Sequence, residues 1–310
     1  MSIADHNLLS EYINTLGQSL LRTHGERVHK VAIDAGLSCP NRDGSKGRGG
    51  CTFCNNATFS PNGRSPAPIL EQIDNGRKVL LKRTGAKKYI AYFQAYTNTY
   101  ADVETLKKMY ESALTQEDVI GISVGTRPDC VPPEVIDLLV DYQNQGFEVW
   151  LELGLQSAFD DTLVRINRGH NFAQYQQTLL AARAKGLRVC THLIIGLPGE
   201  SEAHYRSTLQ QVLDLGVDGL KFHPLHVVKG TQLANEWRRG EYEPMEMDYY
   251  VKIVAELVNM APTKMLYHRL TATANEQQLL APKWCNKKWQ VLNAIENEFK
   301  QQNRKKILWN

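Results

Sequence analysis

The chain has 310 residues, of which 42% are hydrophobic and 22% charged, a composition typical of a folded globular protein rather than a disordered or membrane-embedded one. Its 36 Lys and Arg nearly balance 33 Asp and Glu, and the resulting net charge of +3 by itself indicates no nucleic-acid partner. No segment approaches the roughly 20 consecutive apolar residues of a membrane span, and the first residues lack the pattern of a signal peptide. We therefore expect a cytoplasmic protein without a membrane partner, whose reduced cysteines are free to bind metal.

Six short apolar segments recur along the chain and predict β-strands. They are rich in Val, Ile, Leu and aromatic residues without strict alternation, which is typical of strands covered on both faces. They lie at residues 29–36, 88–95, 118–125, 148–154, 188–196 and 218–226. Stretches with apolar residues at helical spacing separate the later strands, and three of these stretches end at Gly146, Gly186 and Gly216, where glycine favours helix termination.

This alternation of strand and helix predicts right-handed βαβ units and a parallel sheet. Because no GxGxxG follows the first strand, a dinucleotide-binding sheet is disfavoured. We expect an α/β fold, a partial (β/α)6 TIM-like barrel with a C-terminal α-rich extension. The expected units are an N-terminal helical segment at 1–28, the barrel at 29–230 and the extension at 231–310, which packs on the barrel and contains two helices and an extra strand within 265–272.

Three cysteines follow the first predicted strand, with the spacing C-x11-C-x2-C at Cys39, Cys51 and Cys54. Barrel enzymes carry their chemistry at the C-terminal ends of the strands, so we expect the cysteines at that face. Thiolates two residues apart can hold one metal centre, either zinc or an iron–sulfur cluster. Zinc would need a fourth ligand from elsewhere, whereas a four-iron cluster with three cysteines leaves one iron open to a cofactor. The spacing alone leaves both alternatives open.

The segment CTFC, with Phe53 directly before the last cysteine, resembles the radical S-adenosylmethionine superfamily. Most members have three residues between the first two cysteines, and this chain has eleven. The resemblance implies that Cys39, Cys51 and Cys54 hold a [4Fe-4S] cluster and that its open iron chelates the amino and carboxylate groups of S-adenosylmethionine. Phe53 would then lie on the cofactor side of the turn.

Further segments extend the resemblance over roughly residues 20 to 300. Thr97, Asn98 and Thr99 stand where the superfamily has an element that contacts the methionine amino group, although the usual acid is absent. The resemblance further implies that Gln156 hydrogen-bonds the cofactor and that Arg168 pairs with its carboxylate through the guanidinium fork. It implies adenosine contacts for four residues on the fifth and sixth strands, namely His192, Gly196, Leu225 and His226.

In overall layout the chain resembles the YhcC/YtqA-like group, which is related to the Elongator catalytic subunit and to the oxygen-independent coproporphyrinogen dehydrogenase branch. The segments that carry this resemblance are GERVHKVAIDAGLSCPNRDG, GTRPD, ELGLQS with NRGH, and APKWCNKKWQVLN. GTRPD is equally well interpreted as a turn that ends a strand. The resemblance implies an enzyme that cleaves S-adenosylmethionine to a 5′-deoxyadenosyl radical, with an electron donor such as flavodoxin or ferredoxin. It also makes tRNA, particularly the wobble uridine, the first substrate hypothesis.

Basic residues near the cysteines and the C-terminus, with Trp284 and Trp289, are compatible with RNA contact, although such runs are most often a solvated face. These residues are Arg42, Lys46, Arg48, Lys283, Lys287, Lys288, Lys300, Arg304, Lys305 and Lys306. The four glycines of segment 42–50 also suit a lid that closes on substrate. No motif identifies the residues that react with the substrate.

Three other functions stay open at this point. A radical enzyme could act on a small molecule in a neutral pocket, as in the porphyrin branch. A methylthiotransferase needs a second cluster, for which Cys130, Cys190 and Cys285 are too dispersed. A zinc-dependent RNA-binding module would leave Gln156, Arg168 and Gly196 without a role.

Overall fold

The computed structural model of the protein describes residues 8–55 and 66–307. Ten strands lie within these residues: β1 (Asn14–Thr15), β2 (Val28–Ile33), β3 (Lys88–Phe93), β4 (Val119–Thr126), β5 (Glu148–Gln156), β6 (Val189–Ile195), β7 (Gly219–Pro224), β8 (Val227–Val228), β9 (Leu266–Arg269) and β10 (Leu279–Ala281). The same residues form eleven α-helices: α1 (Leu16–His24), α2 (Pro40–Asp43), α3 (Ile69–Thr84), α4 (Val103–Leu114), α5 (Pro133–Asn144), α6 (Asp160–Arg165), α7 (Phe172–Ala184), α8 (Glu202–Asp214), α9 (Gln232–Arg238), α10 (Met247–Met260) and α11 (Lys288–Gln301).

Eight strands form one parallel sheet in the order β1-β9-β7-β6-β5-β4-β3-β2. The six strands predicted from the sequence are β2 to β7, and β9 confirms the extra strand expected within 265–272. The sheet curls so far that the Lys30 ammonium on β2 lies 3.2 Å from His268 Nδ1 on β9. The predicted partial TIM-like barrel is therefore confirmed, with β9 and β1 added beyond the sixth strand.

Helices cover the outer face of the curled sheet. The apolar side of α5, including Val135, Ile136 and Leu139, is almost fully buried against it, because the strands need cover on both faces. Gly146, Gly186 and Gly216 have φ of 94°, 76° and 77° just beyond the ends of α5, α7 and α8, the left-handed conformation that glycine adopts at low cost. The helix ends predicted at these three glycines are confirmed.

The barrel is closed at the end where its strands begin. Leu16 and Leu20 of α1 pack there against Ile90, Trp150 and Cys190 from the strands. Chemistry is therefore confined to the opposite end of the lumen, where the strands finish, as in other barrel folds.

The C-terminal residues pack against the barrel instead of forming a separate core. Helix α10 contacts both α8 and α11, and the fully buried Tyr250 donates a hydrogen bond to the carbonyl of Leu270, 2.7 Å away. The division of the chain at residues 28 and 230 stays a prediction. Across the described residues, no helix has the length and apolar character needed to cross a membrane.

The tight contact between β4 and β5 generates a stability prediction. A Cβ on Gly121 would lie 2.0 Å from the backbone oxygen of Glu148, so Gly121→Ala must push the strands apart. We expect a loss of more than about 2 kcal/mol in the free energy of unfolding, measured by urea denaturation. Gly17→Ala is the matched control, because nothing lies within 4 Å of its Cβ position in α1 and alanine favours the helix by about 0.5–1 kcal/mol. Equal stability of the two variants would contradict this interpretation.

Candidate active site

The three cysteines of the first loop are held by a compact backbone fold. Cys39 precedes α2, and its carbonyl accepts from the amides of Arg42 and Asp43 at 2.8 and 3.2 Å. The amide of Cys54 donates to the carbonyl of Cys51 at 2.9 Å. Cys51 is buried, and Cys39 and Cys54 are half-buried. All three lie on the side of the barrel where β2 ends.

Asparagine side chains dock this loop onto the residues that follow α6. The Asn41 amide, itself 1% exposed, donates to the carbonyl of Asn167 and lies 3.9 Å from Cys51 Sγ. In return, the Asn167 amide donates to the carbonyl of Gly50 at 2.8 Å. In a third hydrogen bond, the Thr52 amide donates to the carbonyl of Ile166 at 3.0 Å. These bonds bring the cysteines next to Arg168.

The eleven residues between Cys39 and Cys51 form a hydrogen-bonded turn around α2. Gly49 and Gly50 both have φ of 83°, so glycine is needed there for the backbone path. Lys46 pairs with the buried Asp129 carboxylate, and Ser45 Oγ lies 2.9 Å from the Tyr100 hydroxyl. The glycines therefore allow the backbone path of a turn that is bonded to the rest of the fold. These contacts give no support to the expected lid.

The three sulfurs are close neighbours but are not spaced for one small ion. Burial, then the charge of a Cys51 thiolate, raises the pKa of the Cys54 thiol to about 11, so metal binding would have to displace its proton. Zinc bonds of about 2.3 Å place thiolates roughly 4 Å apart. Within the described residues, the only group of three metal-ligand side chains whose donor atoms all lie within 4.8 Å is Glu152, Cys190 and His268. The sulfurs of Cys39, Cys51 and Cys54 therefore do not all lie within 4.8 Å of one another.

Arg168 lies directly beside the cysteines. Its guanidinium is 3.6 Å from Cys51 Sγ, donates to the carbonyl of Gly154 at 2.5 Å and donates to His170 Nε2 at 3.0 Å. Burial, then the Arg168 charge, lowers the pKa of His170 to about 3, so this histidine is neutral and can accept. Arg168 is therefore a fixed positive charge beside the Cys51 sulfur.

The GTRPD element holds Arg168 in place. Arg127 forms a two-point pair with Asp129, at 3.0 and 2.9 Å, and both side chains are almost fully buried. The same guanidinium donates to the carbonyl of Arg168 at 2.6 Å. Because Asp129 also binds Lys46, this element positions both Arg168 and the cysteine loop.

The residues expected to contact methionine cluster around the same place. The Thr97 amide donates to the carbonyl of Ser38, next to Cys39, at 3.3 Å. Thr97 Oγ1 and Asn98 Oδ1 are buried without a hydrogen-bond partner among the described residues. Because buried polar atoms are normally paired, both oxygens can accept a hydrogen bond from a ligand. The Thr99 hydroxyl differs, because it already bonds Thr126 Oγ1 and the carbonyl of Cys130.

Gln156 ends β5 with φ of 82°, a strained conformation for a residue with a side chain. Glycine at position 154 leaves room for both side chains. A Cβ there would lie 2.7 Å from the Arg168 guanidinium and 2.9 Å from Gln156 Nε2. The structure therefore places Gln156 and Arg168 side by side next to Gly154, and the cofactor contacts that the resemblance implies for them stay a prediction.

The residues expected beside adenosine fall into two groups. Gly196 has φ of 100°, and its Cβ position lies 3.6 Å from Leu225 Cβ; Phe53 packs against the apolar cluster that contains Leu225. His226 is 5% exposed, and neither ring nitrogen has a partner among the described residues. The His192 ring is held by the buried carboxylate of Glu152, because its Nε2 is 2.6 Å from a carboxylate oxygen.

Glu152 is the centre of a ring of polar side chains that crosses the lumen. Its carboxylate is fully buried and pairs with two lysines and two histidines, while a serine hydroxyl donates to it at 2.6 Å. Each partner comes from a different strand: Lys30 on β2, Ser123 on β4, His192 on β6, Lys221 on β7 and His268 on β9. Lys221 completes the ring by donating to the Tyr92 hydroxyl on β3 at 2.9 Å.

The charges in this ring determine its protonation. Burial alone would raise the pKa of the Glu152 carboxyl, but the Lys221 and Lys30 charges hold that pKa well below its usual range. Burial, then the charge of Lys221 or Lys30, lowers the pKa of His192 and His268 respectively to about 3. Since the unfolded chain takes up these protons at higher pH, the ring stabilises the fold fully above about pH 6.5 and progressively less as pH falls toward 3.

Sequence patterns did not identify this ring. Lys30, Glu152 and Lys221 are charged residues inside predominantly apolar strands, and such residues are rarely buried unless they are paired. That signal could have singled them out, although not which partner each would choose.

The C-terminal basic residues are mostly engaged within the fold. Lys300 pairs with Glu296, and Lys306 pairs with Glu11. Trp284 packs on Tyr250 and donates from Nε1 to the carbonyl of Met245 at 2.9 Å. Trp289, in contrast, is 63% exposed, with the Lys288 ammonium 5.4 Å from its ring centre. Of the two tryptophans, only Trp289 presents a ring for stacking.

A curled parallel sheet with a cysteine loop over the ends of its strands has the architecture of a cofactor-dependent barrel enzyme. Residues 43–212 match the family described as the Radical SAM superfamily, and residues 217–301 match the Radical_SAM C-terminal domain. The chain therefore belongs to the radical SAM superfamily. It is an enzyme whose cofactors are a [4Fe-4S] cluster and S-adenosylmethionine.

Relatives confirm the group that the sequence resembles. The chain is 50% identical over 281 residues to Protein YhcC of Escherichia coli (strain K12), which covers 91% of this chain and 90% of YhcC. It is also 29% identical over 163 residues to the tRNA uridine(34) acetyltransferase of Dehalococcoides mccartyi (strain CBDB1), covering 52% of this chain and 34% of that protein.

Among solved structures, the fold is similar to the archaeal Methanocaldococcus infernus Elp3 with an N-terminal deletion. The TM-score is 0.64 with 18% sequence identity, and the match covers 89% of this chain and 63% of that chain. At this identity the similarity supports the fold alone.

The lumen ring generates a second prediction. Glu152→Gln should lower the free energy of unfolding by about 3–5 kcal/mol, because it leaves Lys30 and Lys221 buried without a counter-ion. The matched control is Glu241→Gln, which removes a carboxylate from an exposed pair with Arg239 and should cost less than about 1 kcal/mol. Thermal and urea unfolding of both variants would measure the difference. A Glu152 variant as stable as the control would show that the ring does not hold the barrel.

Proposed function

We propose that this enzyme holds its [4Fe-4S] cluster through Cys39, Cys51 and Cys54 and uses it to modify tRNA, with the wobble uridine as the first candidate. The observation that carries the cluster assignment is the docking of this loop next to Arg168, through Asn41 and Asn167. Three sulfurs and one adjacent guanidinium suit a cluster whose fourth iron takes a ligand that bears a carboxylate.

The other described residues near the loop fit the second cofactor. Arg168 would bind the carboxylate of S-adenosylmethionine, and the unpartnered oxygens of Thr97 and Asn98 would accept from its amino group. Gln156 would hydrogen-bond the cofactor above Gly154. Phe53, Gly196 and Leu225, with His226 beside them, would line the adenosine side.

When bound, the two cofactors supply a one-electron cleavage of S-adenosylmethionine that gives a 5′-deoxyadenosyl radical able to abstract a hydrogen atom from substrate. The surrounding barrel would exclude water and stray side chains from this chemistry. Flavodoxin or ferredoxin would supply the electron, in the cytoplasm. In this assignment His192 keeps its bond to Glu152 and acts on the cofactor only by shaping the lumen.

Support for tRNA comes from the relative named a tRNA uridine(34) acetyltransferase. The exposed Trp289 next to Lys288 offers a stacking ring and a charge, which is the combination that binds unpaired nucleotides. A small-molecule substrate is the competing outcome of the test below.

The cluster assignment predicts the behaviour of cysteine variants. Anaerobically purified protein should contain about four irons per chain and should release 5′-deoxyadenosine from S-adenosylmethionine when a strong reductant is added. Alanine at Cys39, Cys51 or Cys54 should abolish that release and most of the iron, whereas Cys285→Ala, in a separate apolar cluster, should retain both. Colourless protein with one zinc per chain would refute the assignment.

The tRNA proposal predicts a change in cellular nucleosides. Total tRNA from cells that lack the protein should lose one modified nucleoside, or accumulate its precursor, compared with cells that have it. Expression of the Cys285→Ala chain should restore the nucleoside, and expression of the Cys51→Ala chain should not. Identical nucleoside profiles in all four strains would redirect the search to small molecules.

A further inference from the structure

The cysteine loop has different neighbours on its two sides. Cys51 is buried, and its Sγ lies 3.6 Å from the Arg168 guanidinium. Cys54 is half-buried, and the next residue, Asn55, donates from its side-chain amide to the carbonyl of Lys229 at 2.7 Å. Lys229 directly follows β8, which pairs with β10 in a small sheet separate from the eight-stranded one. The Cys51 side of the loop therefore borders Arg168, whereas the Cys54 side borders the small sheet.

Basic side chains lie around Cys54. The half-buried Arg42 donates from its guanidinium to the Cys54 carbonyl at 2.6 Å. Arg48 belongs to the same turn, where its backbone forms a bridge with that of Asp43. Arg48 and Lys229 are both exposed, and neither forms an ion pair within residues 8–55 and 66–307. Their charges are therefore available to a partner.

A fourth cation reaches the same place through β10. The Lys229 amide donates to the carbonyl of Gln278 at 2.9 Å, and the exposed Lys283 donates from Nζ to the carbonyl of Leu279 at 2.7 Å. Leu279 lies opposite Val228, the residue before Lys229. Together these basic residues form the Cys54 surface, which consists of Arg42, Arg48, Lys229 and Lys283.

Two carboxylates lie in the segments that carry these cations. The Asp43 carboxylate accepts from the amide and hydroxyl of Ser45 at 2.9 and 2.8 Å, so it is bonded within its own turn. Glu276 lies in the exposed turn before β10. Because the four basic groups outnumber these two carboxylates, the Cys54 surface is positive.

A cavity elsewhere on the protein has the opposite charge. It has a volume of about 500 Å³ and lies between the β6–α8 loop and the residues before α10. Its lining includes one arginine, Arg165, and the carboxylates of Glu200, Glu241, Glu243 and Glu246. An acidic protein is repelled there and attracted to the Cys54 surface.

A cluster on Cys39, Cys51 and Cys54 needs an electron from outside the chain before it can act on S-adenosylmethionine. Transfer between centres in two proteins is fast only when the centres come close together. Such encounters use small interfaces, below about 1,200 Å², and complementary charges raise their association rate. The Cys54 surface meets both needs, because it places positive charge next to a half-buried cysteine.

We propose that the Cys54 surface is the docking site of a small acidic electron-carrier protein. One electron passes from the reduced flavin of such a carrier to the cluster, and no proton or chemical group is transferred with it. S-adenosylmethionine, proposed to bind at Arg168, keeps the Cys51 side. The inference rests on the proposed cluster assignment. It also gives the long spacing between Cys39 and Cys51 a role, because that segment supplies Arg42 and Arg48.

The test uses reconstituted protein and recombinant flavodoxin, an acidic flavoprotein. A double variant, Arg48→Glu with Lys229→Glu, reverses two exposed charges of the Cys54 surface and leaves Arg42 and its bond to Cys54 in place. The matched control, Lys78→Glu with Lys82→Glu, makes the same change in net charge. Its two lysines are exposed on α3, in the half of that helix that leads to the start of β3.

Two quantities are measured across a range of salt concentrations: the affinity for fluorescently labelled flavodoxin, and the rate at which photoreduced flavodoxin bleaches the cluster absorbance. At low salt the Arg48 and Lys229 variant should bind about tenfold more weakly or worse. Its reduction should be slower and should lose most of the salt dependence of the wild type. The control should stay within about twofold of wild type, because its charges are distant and screened. Dithionite should reduce the cluster of all three proteins equally, since it needs no docking surface.

The outcomes separate this inference from the proposals on which it rests. If dithionite reduces the variant and flavodoxin binds and reduces it like wild type, the docking site is wrong even though the cluster assignment holds. If none of the proteins holds a reducible cluster, the cluster assignment and the docking site are both overturned. If the variant keeps its affinity for flavodoxin but loses affinity for labelled total tRNA, the Cys54 surface binds RNA and the carrier proposal is overturned.

Discussion

A single buried carboxylate, that of Glu152, joins the two edges of a sheet that does not close through backbone hydrogen bonds. The sheet runs from β2 at one edge to β9 and β1 at the other, and Glu152 pairs with Lys30 from the first and His268 from the second. Such a centre is stable only while all its members are paired, because each unpaired charge in the lumen would be costly. The ring thereby fixes how far the sheet curls. It also fixes the space left between the ring and the strand ends, where Gly154 leaves room for Gln156 and Arg168.

The chemistry at the strand ends depends on a second buried pair. Arg127 and Asp129 connect the loop after β4 to Arg168 and, through Lys46, to the cysteine loop. Three sulfurs contributed by one short loop therefore meet a guanidinium contributed by another.

The regular features of the fold could be predicted from local patterns. Six strands, the order of their helices and the stops at Gly146, Gly186 and Gly216 follow from hydrophobic spacing and from the conformational freedom of glycine. The cysteine spacing, with Gln156 and Arg168, indicated the cofactors through resemblance. The sequence could not show that Lys30 and Lys221 both pair with Glu152. That pairing requires strands almost 200 residues apart to meet across the lumen, and only the curl of the sheet brings them together. For the same reason the bond between His192 and Glu152 could not be predicted, and the ribose contact expected for His192 stays a prediction.

The central claim is that three cysteines leave one iron for S-adenosylmethionine, and magnetic resonance tests it most directly. Reduced protein would be frozen with S-adenosylmethionine labelled with ¹⁵N in its amino group and ¹³C in its carboxylate, and electron–nuclear double resonance would be recorded at the cluster signal. The account predicts hyperfine couplings from both labels, strong enough to require direct ligation to iron and lost with the unlabelled cofactor. A cluster signal without coupling to either label would contradict it.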